Sequence, residues 1–500
     1  MSAKMNGPAV ENQLAQLIWR LREYLCTSID HQGRARSTCG SRVLESVLAC
    51  RLLEYDSSYS TALARVRSYL AAAHDRVGLT PIDQVLLGRP DGEVLAGFDH
   101  HTAPRKQVLV GAILHAAGVG GTVASAAPAA PAITTSALHT WKRVEWVACQ
   151  AIHAQVAGAR MADDPLQALA DWLDGPRIHE GNHLSHLLVL HALRPYPEHH
   201  AAVRHGLDLL VATQCADGGF SVAEHFDTWV TSIVATALTE AGARNQVLVH
   251  TGEWMAACQA ADGGWSYAPG ATQTDMDTTY TAMTFLHAHD RDRYAPRLAA
   301  GRAYVRRMQN TDGGWPTYCH GTPSEPAMTG GALVVLAEQA QDHAEEIVAG
   351  VRWLAHSQQS DGTFERSWSL AEGNALFRAV HGLCAARDNV PLPPSVARAV
   401  DHAVGRATSY LTQTQNHDGG WGHRAWNPSD PISTGYALAA LGRLRQRSPM
   451  PAAMAFLAAC QRPDGGFDAP ADTVAPRPIP VDVPVLAPAY VLRGLEHCRQ

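Results

Sequence analysis

Two carboxylates two residues apart, followed by two hydroxyls, stand in the string Asp275-Met-Asp-Thr-Thr279. In an apolar cavity such a pair suits acid–base chemistry. Desolvation holds a carboxyl neutral, and a second carboxyl close by makes it hard for both to ionise. A carboxyl kept neutral in this way is a proton donor, which the Thr278 or Thr279 hydroxyl can tune by hydrogen bonding. Alone, the string reads as readily as an acidic surface turn, so its meaning rests on what surrounds it. Other groupings are thinner. Asp163-Asp164 opens a run that reaches Gln167 without the further Asp of a metal-binding D-D-x-x-D. Cys319-His320 sets two metal-ligand types side by side, where they do not easily share one tetrahedral ion. The ten cysteines are scattered with no C-x-x-C, so neither a disulfide framework nor a structural zinc site is read.

The surroundings are a repeat. The pattern Gln-x-x-Asp-Gly-x-(Phe/Trp) begins at Gln214, Gln259, Gln309, Gln358, Gln415 and Gln461, about 45 to 57 residues apart, which leaves room for two helices and two connections per unit. Five copies carry a second Gly; the fourth has Thr363. Asp-Gly is turn chemistry, because glycine takes positive φ and the Asp side chain bonds the turn's own backbone. An amphipathic stretch such as Gly301–Met308 precedes each turn, and an apolar run such as Gly331–Leu336 follows. The aromatic ring then plugs the gap between helix pairs, and the Gln amide satisfies a neighbouring helix terminus. Six such hairpins can close on themselves into a double ring of twelve helices, an all-α, α6-α6 toroid with chemistry in its central cavity. The first 200 residues are looser. Helical runs at Val10–Cys26, Arg42–Glu54, Gln107–Ala117, Trp141–Ala157 and His183–Leu193 are broken by an Ala/Pro/Gly-rich linker at 118–135, and predict a second, smaller helical domain. Ile29-Asp-His-Gln-Gly-Arg34 reads as a decayed copy of the same turn and predicts that this domain is a degenerate toroid.

With 46% hydrophobic and 17% charged residues, the 500-residue chain can bury a large apolar interior. A formal charge of -7, with no long Lys/Arg run, gives no footprint for nucleic acid. The first 30 residues lack the pattern of a signal peptide, and no run approaches 18 apolar residues, so a soluble cytoplasmic protein acting on a small molecule is expected.

The six turns resemble the QW motifs of the squalene–hopene cyclase and bacterial class II diterpene cyclase superfamily. Thr274-Asp-Met-Asp-Thr-Thr-Tyr280, just after the second turn, resembles that superfamily's D-x-D-D motif in its D-x-D-T-T form. The resemblance implies a βγ architecture: β from residues 205–500 with the leading helix 1–29, γ from 30–204, and the cavity between them. It implies that Asp277 protonates the terminal alkene of a linear isoprenoid, that Asp275 supports it, and that Thr278 stands where relatives have a further Asp. Phe226, Tyr267, Tyr318 and Trp368 become the aromatics that hold the carbocation by their ring faces. The implied substrate is a prenyl diphosphate of the farnesyl or geranylgeranyl class with Mg²⁺, its headgroup surviving cyclisation, and Arg42, Glu45, Lys142 and Arg143 are candidate headgroup or metal contacts. Three departures leave a non-diphosphate or prenylated aromatic substrate open: Ala332 stands where relatives carry a His, Pro476–Pro484 lacks a Trp and a Lys, and Ser433-Thr-Gly-Tyr436 replaces E-T-A-Y. A zinc-dependent prenyltransferase β-type toroid and a non-catalytic toroid binding a hydrophobic ligand are the rival readings.

Overall fold

Each Asp-Gly pair makes the same turn. In all six copies the first Gly has φ between +89° and +94°. The Asp side chain accepts the N–H two residues on, as Asp262 does from Gly264 at 2.9 Å. Thr363 is tolerated because the left-handed position is Gly362, while residue 363 only donates its N–H to Asp361. Every Gln amide then spans two carbonyls. Gln309 donates to Gly313 O in its own turn and to Glu346 O on the next hairpin, both at 2.9 Å.

These turns organise the computed structural model, which describes residues 7–36, 39–76, 79–89, 94, 102–119 and 138–499. The predicted linker at 118–135 lies outside them except for residues 118 and 119. Twenty α-helices are present among the described residues. Nine come before the first inner helix of the main ring: α1 (Gly7–Ser28), α2 (Val43–Leu53), α3 (Ser60–His74), α4 (Pro81–Leu86), α5 (Ala103–Ala116), α6 (Thr140–Val156), α7 (Asp163–Leu173), α8 (His183–Leu193) and α9 (His200–Ala212). Six inner helices follow, α10 (Asp227–Glu240), α12 (Met276–Asp290), α14 (Pro326–Ala337), α16 (Glu372–Asn389), α18 (Pro431–Arg443) and α20 (Leu486–Arg499). Between them run α11 (Gln246–Ala257), α13 (Ala295–Met308), α15 (Ala344–His356), α17 (Pro394–Gln413) and α19 (Met450–Cys460) on the outside. Each inner helix packs on the next, and α20 returns to α10, so the inner ring is closed. The Gln amides staple the outer one: Gln259, Gln309, Gln358 and Gln415 reach the starts of α13 and α15, mid-α17 and the start of α19, and Gln461 reaches Leu17 O on α1. Helix α1 is therefore the sixth outer helix, and the α6-α6 toroid is complete.

Two sequence expectations change places. The decayed turn at Ile29–Arg34 belongs to the main ring, not to the smaller domain. Asp30 accepts from Gln32 N at 2.8 Å, Gly33 has φ of +82° and presses on α11, and Ala35 N donates to Thr231 Oγ1 at 2.9 Å. The first complete motif, by contrast, serves the N-terminal domain. Gln214 donates to Ala62 O on α3, and Phe220 N donates to Ser46 Oγ on α2. Helix α9 also packs with α7 and α8. The domain boundary therefore falls after Phe220 rather than at residue 205, and the main ring holds five full motifs and one worn one. In the N-terminal domain α2, α5, α6 and α8 form a smaller inner ring, as a toroid-like γ domain requires. A short hairpin, β1 (Thr473–Val474) with β2 (Pro480–Val481), crosses between the domains. Arg42 clamps it by donating to Ala475 O at 2.6 Å and Pro480 O at 3.3 Å.

If the worn turn is a ring fastener, Gly33→Ala must hurt twice, by positive φ and by a Cβ only 2.5 Å from Thr251 N. Gly158 has φ of +69° with open space around it. Thermal or urea unfolding is expected to show Gly33→Ala losing about 2–3 kcal/mol and Gly158→Ala about 1 kcal/mol. Equal losses would remove the fastening role.

Candidate active site

The second turn folds back onto the start of α12. Trp265 O accepts Asp275 N at 3.0 Å, and Trp265 N donates to Thr279 Oγ1 at 2.9 Å. Asp275 then caps the helix, its Oδ1 accepting Thr278 N at 2.6 Å and its Oδ2 accepting Thr278 Oγ1 at 2.9 Å. It is 3% exposed, and burial pushes its carboxyl up to about 8, against the Thr278 hydrogen bonds and with help from the charge of Asp277. The same device recurs around the ring. Glu325 N bonds Trp315 O, Asp430 N bonds Trp421 O, and Asp430 accepts from Ser433 N and Oγ at 2.8 Å each. Asp275 is thus the neutral cap of a repeated scaffold. The Thr278 hydroxyl serves that cap and the Thr279 hydroxyl serves Trp265, so neither tunes Asp277 as expected.

Asp277 has no counterpart. The equivalent residues two positions past the cap are Ala327 and Ile432 in the third and fifth turns, and Trp229 on α10. Its side chain is 14% exposed, to the cavity, and is held from two sides: Arg378 Nη1 on α16 bonds Oδ1, and Trp229 Nε1 donates to Oδ2 at 3.1 Å. Arg378 is buried, with its guanidinium 5.3 Å from the Tyr280 ring centre. Burial works against its charge, but the Asp277 carboxylate more than offsets this and its pKa is raised. Two donors aimed at one carboxylate stabilise the anion that remains once a proton has left. Sequence reasoning missed both donors. For Arg378 the signal is a lone cation inside the apolar run Leu376-Phe-Arg-Ala-Val380; for Trp229 it is its register on α10.

The carboxyl pair and the expected aromatics meet in one cavity of about 920 Å³, its open mouth included. Asp275, Asp277, Thr278, Phe226, Tyr267, Tyr318 and Trp368 all line it. Phe226 and Tyr267 lie 5.7 Å apart between ring centres, and Tyr318 and Trp368 lie 5.6 Å apart. The facing wall comes from the N-terminal domain, where Trp141 stands edge-on to Tyr267 at 5.6 Å and to Tyr318 at 4.9 Å. Tyr267 and Tyr318 are held protonated by burial. The cavity is thus a pocket of ring faces between the two domains with an acid at one wall.

It adjoins a second cavity of about 970 Å³ through shared walls at His139, Lys142, Glu145, Tyr318 and Trp368. This vestibule is cationic, lined by Arg105, Lys106, Lys142 and Arg477. Burial lowers the Arg105 pKa while Glu145 raises it. Of the expected headgroup residues only Lys142 is placed here, paired with Glu145. Arg42 and Glu45 are corrected: they form a buried ion pair that holds the hairpin and line neither cavity. Arg143 donates to Leu138 O at 3.3 Å and lines neither cavity. Asp163 is an exposed partner of Arg160. Among the described residues no three His, Cys, Asp or Glu side chains gather as a metal site, Cys319 and His320 included.

The prenyltransferase alpha-alpha toroid domain family matches residues 184–370 and 394–475. The chain is 34% identical to a drimenyl diphosphate synthase of Streptomyces showdoensis and 35% identical to one of Streptantibioticus cattleyicolor, over 96% of this chain and 93% of theirs in both cases. Its fold resembles the solved ent-copalyl diphosphate synthase from Streptomyces platensis, with a TM-score of 0.57 at 17% identity, covering 98% of this chain and 100% of that one. Twelve-helix ring, D-x-D-T-T acid pair and whole-length similarity agree, and the chain belongs to the class II terpene cyclases.

Proposed function

We propose that this enzyme cyclises a linear prenyl diphosphate, with Asp277 donating a proton to the terminal alkene and the diphosphate kept. The observation that carries this reading is the union of an acid-bearing aromatic cavity with a cationic vestibule. Protonation creates a tertiary cation in the cavity, where desolvated ring faces each stabilise it by about 1–2 kcal/mol. The displaced negative charge stays on Asp277, where Arg378 and Trp229 hold it. Arg105, Lys142 and Arg477 offer the planar and point cations that suit a diphosphate. Similarity to two drimenyl diphosphate synthases favours drimenyl diphosphate as product and farnesyl diphosphate as its linear precursor. Mg²⁺ fits as an ion chelated by the diphosphate itself, because no protein cage for it gathers among the described residues.

The two carboxyls are separated by conservative amides. Asn caps a helix as well as Asp does, so Asp275→Asn is expected to keep turnover within about 10-fold, while Asp277→Asn loses about 10²–10⁴-fold, read by product mass spectrometry after incubation with farnesyl diphosphate and Mg²⁺. Asp277→Asn turning over at the parental rate would sink the mechanism. Headgroup binding is read separately. Arg105→Ala and Lys142→Ala are expected to raise KM by roughly 10-fold each with kcat less affected, since lost charge-assisted bonds weaken ground-state and transition-state binding alike.

Asp275 also sets a pH signature. Its folded pKa of about 8 lies above the 3.8 of a free aspartate side chain, so the folded state binds the extra proton. That stabilisation is fully present below the unfolded value and is lost as pH rises through about 8. The thermal stability of the parent relative to Asp275→Asn is therefore expected to fall between about pH 5 and pH 9. A difference that stays flat or rises would show that Asp275 is ionised in the folded protein.

A further inference from the structure

His139 is the residue just before α6, and its ring lines both the aromatic cavity and the cationic vestibule. Two rings clamp it: the Trp141 centre lies 4.3 Å away and the Tyr318 centre 4.4 Å away. The other buried histidines of this domain spend a nitrogen on a backbone carbonyl, His183 on Ser221 O, His186 on Gly206 O and His191 on Leu48 O, at 2.8 to 3.0 Å. His139 has no such bond among the described residues, and its Nδ1 is covered by protein without a partner. Such a group calls for an explanation.

We propose that His139 is the base that ends the reaction, removing a proton from the carbon beside the final cationic centre. This rests on the reading that Asp277 protonates a prenyl diphosphate. The C–H bond breaks, its electron pair becomes the new double bond and fills the cation, and the proton passes to the lone pair of Nε2, the ring nitrogen that protein does not cover. Asp277 gives one proton and His139 takes one, so the net change is isomerisation. The imidazolium then gives its proton to diphosphate oxygen or water in the vestibule.

Rival acceptors lining the cavity are committed. Glu145 is tied to Lys142 and accepts from Ser185 Oγ at 3.0 Å. The Tyr267 hydroxyl donates to Glu180 O, and Asn182 Oδ1 caps α8 by accepting Ser185 N. Burial keeps the His139 ring neutral, and the charges of Lys142 and Arg105 press the same way. A neutral imidazole carries a lone pair, but these two cations oppose the imidazolium that proton uptake creates. A diphosphate seated between them removes that opposition. Substrate binding thus makes His139 a better base, while the empty site holds it as a weak one. That order does not shield the early cations, which form only once the diphosphate is bound. Placement does, because the ring sits on the N-terminal wall, not among the inner-helix residues around Asp277.

The test compares the whole protein with His139→Phe, which keeps a ring between Trp141 and Tyr318, and with His139→Asn. Each is incubated with farnesyl diphosphate and Mg²⁺, dephosphorylated and analysed by gas chromatography–mass spectrometry, with thermal unfolding run alongside. The parent is expected to give mainly one cyclic alkenol, its single hydroxyl being the one dephosphorylation leaves. Both variants are expected to consume substrate within about 10-fold of the parent, while water-captured diol and shifted double-bond isomers rise at least about fivefold relative to it. An unchanged product ratio in both variants overturns the proposal. So does loss of all turnover in variants that unfold at the parental temperature, which would assign His139 to binding or initiation. A parent that gives chiefly a diol overturns it too. A parent inert on both farnesyl and geranylgeranyl diphosphate instead removes the reading beneath it.

Discussion

The structure depends on one hydrogen bond made four times. A threonine hydroxyl in the first turn of an inner helix accepts the N–H of the residue that ends the preceding turn: Thr231 from Ala35, Thr279 from Trp265, Thr329 from Trp315 and Thr434 from Trp421, all at 2.9 to 3.0 Å. This bond locks the register of inner helix against outer turn. The residue two positions earlier is thereby fixed in register, and on two adjacent helices that places Trp229 and Asp277 at the cavity wall, where they meet at 3.1 Å. A one-residue slip would turn Asp277 by about 100° around its helix. The acid would then face packed side chains. Fold and chemistry share the same constraint.

Closing the ring creates a dry interior, and the interior contains charge. Besides Asp277 and Arg378, Arg493 donates twice to Glu240, at 2.8 and 2.9 Å, with His497 beside them. Burial opposes the Glu240 charge, but Arg493 and His497 more than offset it and hold its carboxyl well below the usual range. Buried pairs of this kind add little net stability, while removing one partner costs about 3–5 kcal/mol. They act by allowing one arrangement of the inner helices only. Near the mouth of the ring the logic reverses: the cap carboxyls Asp275 and Glu325 are pushed up by burial, the latter to about 7, and serve as hydrogen-bonding groups rather than charges. A cavity that must shelter a carbocation gains from this, because any anion beyond the Asp277 carboxylate, which Arg378 and Trp229 hold, would be a further trap for the cation.

Much of this was legible in the sequence because the repeat is made of local chemistry. Turn residues, helical periodicity and the aromatic plug each act within about ten positions, so six copies reveal themselves. The acid pair and four aromatics were legible too, since they follow closely on those turns. What was hidden involves long separations. Gln214–Phe220 matches the motif in every residue but fastens to α3, whereas the worn Ile29–Arg34 turn closes the main ring. Residue types cannot say which helix a turn will touch. Arg42 and Glu45 looked like free charges and proved to be each other's partner. Arg378 lies 101 residues from Asp277 and carries no motif of its own.

The small residues of α14 are what let that arginine be where it is. The helix presents Gly330-Gly331-Ala332 along its inner faces. Gly331 accommodates the Tyr280 ring, whose Cγ would lie 2.8 Å from an added Cβ. Gly330 lies against the Arg378 carbonyl, and Gly382 against Gly330 O at 2.5 Å from where a Cβ would be. Helices α14 and α16 therefore approach backbone to backbone. That approach draws α16 inward and lets a side chain from it reach across to α12. Any side chain at 330 would force the two helices apart, and the guanidinium would fall short of the carboxylate. The carboxylate on α12 thus takes its donor from α16, and the glycines, which carry no chemistry, are what make that reach geometrically possible.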